Sequence, residues 1–161
     1  MTSTVLLVAE DSLFLQNLSG SLKRFKASII TAGSKHEALE VCSNCEVDLA
    51  LLDIRQKGSD AMQILARLKK NQPETEVILL SDPKNIALAM QGMQQGASDD
   101  IIVPFDIDSF RKKIKSALKR RKARQQRNLI NIFEDTMVAA TFAQAGEHKT
   151  AQKIYEDGNK S

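Results

Sequence analysis

Leu49-Ala50-Leu51-Leu52-Asp53 is a run of four apolar residues closed by an acid, with a second acid, Asp48, just ahead of it. A short apolar run without alternation reads as a strand buried on both faces, the kind that parallel sheets use. Val5-Leu6-Leu7-Val8, Val77-Ile78-Leu79-Leu80 and Ile101-Ile102-Val103 repeat the pattern, and Ser28 to Ala32 supplies a further strand. Between them, apolar residues recur at helical spacing: Leu15-Leu18-Leu22 after Leu13, Ala38-Leu39-Val41-Cys42, Met62-Leu65-Leu68 and Ile86-Met90-Met93. Alternating strands and helices build βαβ units with right-handed crossovers, so the chain is expected to be α/β, with five strands and five helices through about residue 122. Ser12 and Ser34 stand at expected N-cap positions, and Gly96 where a helix would stop.

With 161 residues, 42% apolar and 27% charged, the chain suits one full domain plus an appendage. Without Trp, and with Tyr155 the one tyrosine, its core is expected to be aliphatic. No apolar run approaches the roughly 20 residues that cross a bilayer, and Met1 to Thr4 leads straight into a strand, so no membrane insertion is expected and the cytoplasm is the expected location. Cys42 and Cys45 form a CxxC, but zinc usually takes four ligands and His36 stands alone. The pair closes a helical pattern, whereas a redox CxxC would open one. Cys42 therefore reads as a small apolar residue on a helix, and Cys45 as part of the turn after it.

The net charge of +3 conceals an asymmetry: residues 1–110 carry −5, residues 111–127 carry +10 with no acid, and residues 128–161 carry −2. Lys119-Arg120-Arg121-Lys122-Ala123-Arg124-Gln125-Gln126-Arg127-Asn128 combines good helix formers with almost no apolar residue, which predicts a solvated helical connector. Beyond it, Leu129, Ile132, Phe133, Thr136, Met137 and Ala140 recover an apolar stripe. Ala145-Gly146-Glu147 is then expected to turn the chain into a last short helix through Ala151, Ile154 and Tyr155, making a helical hairpin, with His148 a surface residue. The expected division is residues 1–122 as one domain and 123–161 as a helical extension. Ten positive charges in residues 111–127 could neutralise nucleic-acid phosphates, but no recognition helix follows and no aromatics interleave for stacking. Nucleic acid is the disfavoured partner; an acidic protein surface is preferred.

Open parallel sheets bind ligands beyond the carboxyl ends of their strands, and the acids gather there. Glu10 and Asp11 follow the first strand, and Asp53 ends the third. Three carboxylates this close repel, which raises a pKa or demands a cation, and with a backbone carbonyl, assigned to Arg55, and waters they suit octahedral Mg²⁺. Beside such a metal Asp53 could act as nucleophile toward a phosphoryl donor, forming an acyl phosphate.

At these residues the chain is similar to receiver domains of bacterial two-component systems, over residues 4 to about 122. Val8-Ala9-Glu10-Asp11 resembles the acidic pair after that family's first strand, and Leu51-Leu52-Asp53 its phosphoacceptor strand. Ser81 matches the hydroxyl that hydrogen-bonds the phosphoryl group, and Gly96-Ala97-Ser98-Asp99 with Pro104-Phe105-Asp106 resembles the stretch through the fifth strand. The resemblance implies a doubly wound sheet of order 2-1-3-4-5, Mg²⁺ dependence, and a histidine kinase or phosphotransfer protein as donor. The expected reading is a stand-alone response regulator with no enzymatic or DNA-binding output domain, not an enzyme in the turnover sense. Its downstream protein partner, or a second copy, would meet the face of the fourth helix, fifth strand and fifth helix, or the helical tail. Phe142 to Tyr155 resembles one tetratricopeptide-like helix pair, although a solenoid core needs about three such units.

The departures are specific. Val103 stands where the family has a lysine before a cis-proline, Asp82 where it has a small residue, and Asp100 where it has a switching aromatic. Lys84 and Lys57 are weak substitutes for that lysine, since Lys84 should start the fourth helix and Lys57 occupies a loop position. Two alternatives therefore stand beside phosphorylation at Asp53: a phosphorylation-independent adaptor, and a nucleic-acid-binding regulator using residues 111–127.

Overall fold

A computed structural model describes residues 2–144. Five parallel strands, β1 (Ser3–Val8), β2 (Ala27–Ala32), β3 (Leu49–Asp53), β4 (Glu76–Ser81) and β5 (Asp99–Ile102), form one sheet in the order β2-β1-β3-β4-β5. The helices are α1 (Ser12–Leu22), α2 (Lys35–Asn44), α3 (Ala61–Asn71), α4 (Ile86–Gln94) and α5 (Ile107–Gln144). This is the expected doubly wound α/β architecture with a long last helix.

Alternate residues of the central strands feed two separate cores, which is why their sequences are continuously apolar. Leu6, Val8, Ala50, Leu52, Val77 and Leu79 pack with Ala38 of α2, Ile64, Leu65 and Leu68 of α3, and Ala89 of α4. Val5, Leu7, Leu49, Leu51, Ile78 and Leu80 pack with Leu15, Leu18 and Leu22 of α1 and Phe110, Ile114 and Ala117 of α5. The core is aliphatic as expected apart from Phe110, which is fully buried and stacks on Phe105 with ring centroids 4.6 Å apart. β5 starts two residues earlier than its apolar run, because backbone pairing to β4 continues through Asp99 and Asp100.

Local capping differs in one place from the expectation. Ser34 caps α2 by accepting from the Glu37 N–H, but α1 is capped by Asp11, whose extended backbone lets Oδ1 accept from the Phe14 N–H at 3.1 Å; Ser12 is the first helical residue. Gly96 follows α4 with φ of +110°, a conformation that suits glycine. Cys42 lies half-buried on α2 and Cys45 caps its end; burial, with Cys45 alongside, pushes the Cys42 thiol above its usual pKa.

Met1–Arg121 forms one compact unit and Lys122–Ser161 a second, with α5 running through both ranges. The start of the basic run is not the solvated connector its composition predicts. Arg121 is buried, its Nε donating to Asp48 at 3.2 Å and its NH2 to Glu46, while Arg120 donates from Nε and NH2 to Glu76, each at 3.3 Å. Asp48 and Glu76 lie at the amino ends of β3 and β4, so this arginine pair neutralises acids at that end of the sheet. Within the second unit, Leu129, Ile132, Phe133 and Met137 of the expected apolar stripe are helical and exposed. The expected turn at Ala145, the short helix after it and His148 lie outside the described residues.

Candidate functional site

The opposite end of the sheet carries the predicted acids. Val8 pairs with Leu52, so Glu10 and Asp11 leave β1 beside the strand end that presents Asp53. The Asp53 carboxylate is only 3% exposed, whereas Glu10 and Asp11 are exposed and Asp11 is engaged in capping α1. Ser81 is buried at the end of the neighbouring strand, one residue past the Asp53–Leu80 register pair. Among the described residues, no three His, Cys, Asp or Glu side chains come together as a ready metal cage.

What the structure does bring onto Asp53 is Arg55. The Arg55 backbone N–H and Nε donate to Oδ1, each at 3.0 Å, and NH2 donates to Oδ2 at 2.9 Å. This is a bidentate fork closed by a backbone donor, the strongest arrangement a guanidinium makes with a carboxylate. The Arg55 carbon Cζ also lies 4.3 Å from the centroid of Phe14, a cation–π contact that seats the guanidinium between α1 and Asp53. The hydrogen bond to Asp53 holds the Arg55 pKa above its ordinary value against the opposing effect of burial, and the charges of Asp53, Asp82 and Asp11 add to the rise.

The Arg55 carbonyl, the expected backbone ligand, accepts from Asn85 Nδ2 at 3.2 Å, and the same amide reaches the Ile54 carbonyl at 3.4 Å. Asn85 ends the 3₁₀ turn Pro83–Asn85, which also holds Lys84; α4 starts only at Ile86. Asp82 caps this turn through the Lys84 N–H at 2.8 Å. Asn85 thus ties the loop after β4 to the loop after β3. Lys84 and Lys57 are both exposed, and Val103 precedes a cis Pro104.

Sequence reasoning named Arg55 only for its carbonyl and sought the missing cation among lysines. The available signal was a permanently charged side chain two residues after Asp53, on the turn that leaves β3. As to a divalent metal, the donors at this end are hard carboxylate and carbonyl oxygens that fit Mg²⁺ in kind, while the guanidinium holds both Asp53 oxygens.

The sequence matches the model of the response regulator receiver domain over residues 5–115. The chain belongs to that family. The receiver is 34% identical over 116 residues to the transcriptional regulatory protein GlrR of Escherichia coli K12, covering 72% of this chain and 26% of that protein. It is 30% identical over 120 residues to the DNA-binding transcriptional regulator NtrC of Klebsiella pneumoniae, covering 74% and 26%. The chain therefore spans about a quarter of the length of these curated relatives. Among solved structures, the receiver domain of NtrX from Brucella abortus matches with a TM-score of 0.67 at 29% identity, covering 71% of this chain and 98% of that one. No helix among the described residues is long and apolar enough to cross a membrane.

Proposed function

We propose that this receiver accepts a phosphoryl group on Asp53 from a histidine kinase or phosphotransfer protein and signals through protein–protein contacts. The observation that carries the reading is a carboxylate at the carboxyl end of the central strand β3, in a chain of the receiver family, with the Ser81 hydroxyl at the end of the next strand. An Asp53 oxygen would attack the donor phosphorus as the bond from phosphorus to the donor atom breaks, leaving an aspartyl phosphate and the released donor group. Ser81 would donate a hydrogen bond to a phosphoryl oxygen. Glu10, Asp11, Asp53 and the Arg55 carbonyl would hold Mg²⁺, which when bound offsets negative charge on the phosphoryl oxygens.

The expected output face is supported by the exposed apolar side chains Ile86 and Met90 of α4, Ile102 of β5 and Ile107 of α5. In the second unit, exposed Leu129, Ile132 and Phe133 would serve a downstream partner or a second copy. We place the protein in the cytoplasm, where such donors act, and assign it no turnover reaction of its own, although one relative, 27% identical and covered by this chain over 33% of its length, is a cyclic di-GMP phosphodiesterase of Thermotoga maritima. Nucleic acid is the weaker partner, since Arg120 and Arg121 are already paired with acids. The domain boundary is placed at residues 122–123.

The test is intact mass after incubation with Mg²⁺ and acetyl phosphate. A gain of one phosphoryl group that needs Mg²⁺ and disappears in Asp53→Asn is the expected outcome. Failure to label, from acetyl phosphate and from a cognate kinase, would favour a phosphorylation-independent adaptor, the reading that Val103 and the Arg55 fork on Asp53 support.

A further inference from the structure

Asp53 is buried without a lysine from the β5 loop, and a buried carboxylate must be paired or hydrogen-bonded to remain charged. Arg55 meets that need with three N–H donors on the two carboxylate oxygens. Its own position is fixed twice more, by Phe14 against the guanidinium and by Asn85 on its carbonyl. Asp82 and Asp11 both add to the field that holds its charge in this crevice. A guanidinium is a cation at every physiological pH, so this charge cannot be titrated away.

We propose that Arg55 is the resident cation of the acceptor site and competes with Mg²⁺ for the Asp53 carboxylate, so that the fork weakens Mg²⁺ binding there. Mg²⁺ takes oxygens in a near-octahedral shell and loses its waters reluctantly, and the three Arg55 donors, two on Oδ1 and one on Oδ2, already fill most of the roughly four lone-pair sites of the Asp53 carboxylate while compensating its charge. The consequence is a site that is charge-neutralised without metal and that demands more Mg²⁺ than it would without Arg55. The inference rests on the acceptor reading for its purpose, but metal binding can be read without any phosphoryl transfer.

Calorimetric titration of the unphosphorylated full chain with MgCl₂ is the primary measurement, on the native protein, Arg55→Ala and Arg55→Lys. Replacing a charge-assisted fork by solvent should tighten Mg²⁺ binding on the order of tenfold in Arg55→Ala, with Arg55→Lys, a single point donor, in between. Without metal, Arg55→Ala should melt below the native protein, and saturating Mg²⁺ should recover most of the difference. Binding to Arg55→Ala no tighter than to the native chain overturns the proposal. If Arg55→Ala does not fold, Arg55→Gln, which keeps a neutral side chain beside Phe14, answers the same question. Tighter Mg²⁺ binding without phosphoryl labelling of any variant would support the competition and count against the acceptor reading alone. Normal labelling with unchanged Mg²⁺ affinity would do the reverse.

Discussion

The amino and carboxyl ends of the sheet both carry acids held by arginines, but the two are assembled differently. At the amino end, Asp48 accepts from the Thr4 N–H through Oδ2 at 2.8 Å and from Arg121 through Oδ1, so it links β1, β3 and α5. Arg121 comes from 73 residues away and its side chain is 6% exposed. At the carboxyl end, Arg55 comes from two residues away and its side chain is 26% exposed. A long-range buried pair forms only when the domain closes and is lost only when it opens. A local, partly solvated pair can let go while the fold stands, so one end reads as structure and the other as a site that can change hands.

That contrast can be broken most directly at Arg121. Arg121→Ala removes a buried guanidinium that ties α5 to Asp48 and Glu46 and should cost about 3 kcal/mol, read as a lower urea midpoint, with Asp53 labelling unchanged. Equal damage to labelling would mean that the two ends are coupled. Arg120→Ala should cost less, about 1 kcal/mol, because Arg120 is nearly half exposed although Glu76 is buried. Arg55→Ala should cost about 1 kcal/mol as well, but with a signature that Arg120→Ala lacks: its loss is recovered by Mg²⁺.

The smallest effect is expected at Asp106, whose Oδ2 accepts from the Ser109 N–H at 2.9 Å at the start of α5. That backbone bond, then the Ser109 hydroxyl, hold its carboxyl below the usual range. A lowered folded-state pKa contributes stability above the unfolded value that is lost as pH falls through the folded one. The difference in urea midpoint between the native chain and Asp106→Asn should therefore be present at neutral pH and close under acid; a difference that persists in acid would show that charge is not its source.

Much of the fold is legible because burial on both faces imposes a local pattern. Val5 to Val8, Leu49 to Leu52 and Val77 to Leu80 each announce a central strand, whereas β5 is blurred by Asp99 and Asp100, edge-strand residues with a solvated side. The place of Asp53 was readable for the same reason, since it is the polar residue that ends an apolar strand in a parallel sheet. Less readable was the cap of α1, because Asp11 and Ser12 are both good capping residues and only the backbone angle chooses between them.

The sequence by itself determined which segments are strands and helices, which acids stand at strand ends, and that positive charge is concentrated after residue 110, all properties of neighbours along the chain. Only the tertiary structure decided which charges meet. Composition makes Lys119 to Asn128 a solvated helix, yet α5 packs through Phe110, Ile114 and Ala117 and thereby carries Arg120 and Arg121 to Glu76 and Asp48. Side-chain direction likewise turned Arg55 back onto Asp53 and under Phe14. Hydrophobic pattern is written locally, but electrostatic pairing depends on distance in space, and those distances exist only once the sheet and its helices have closed around a common core.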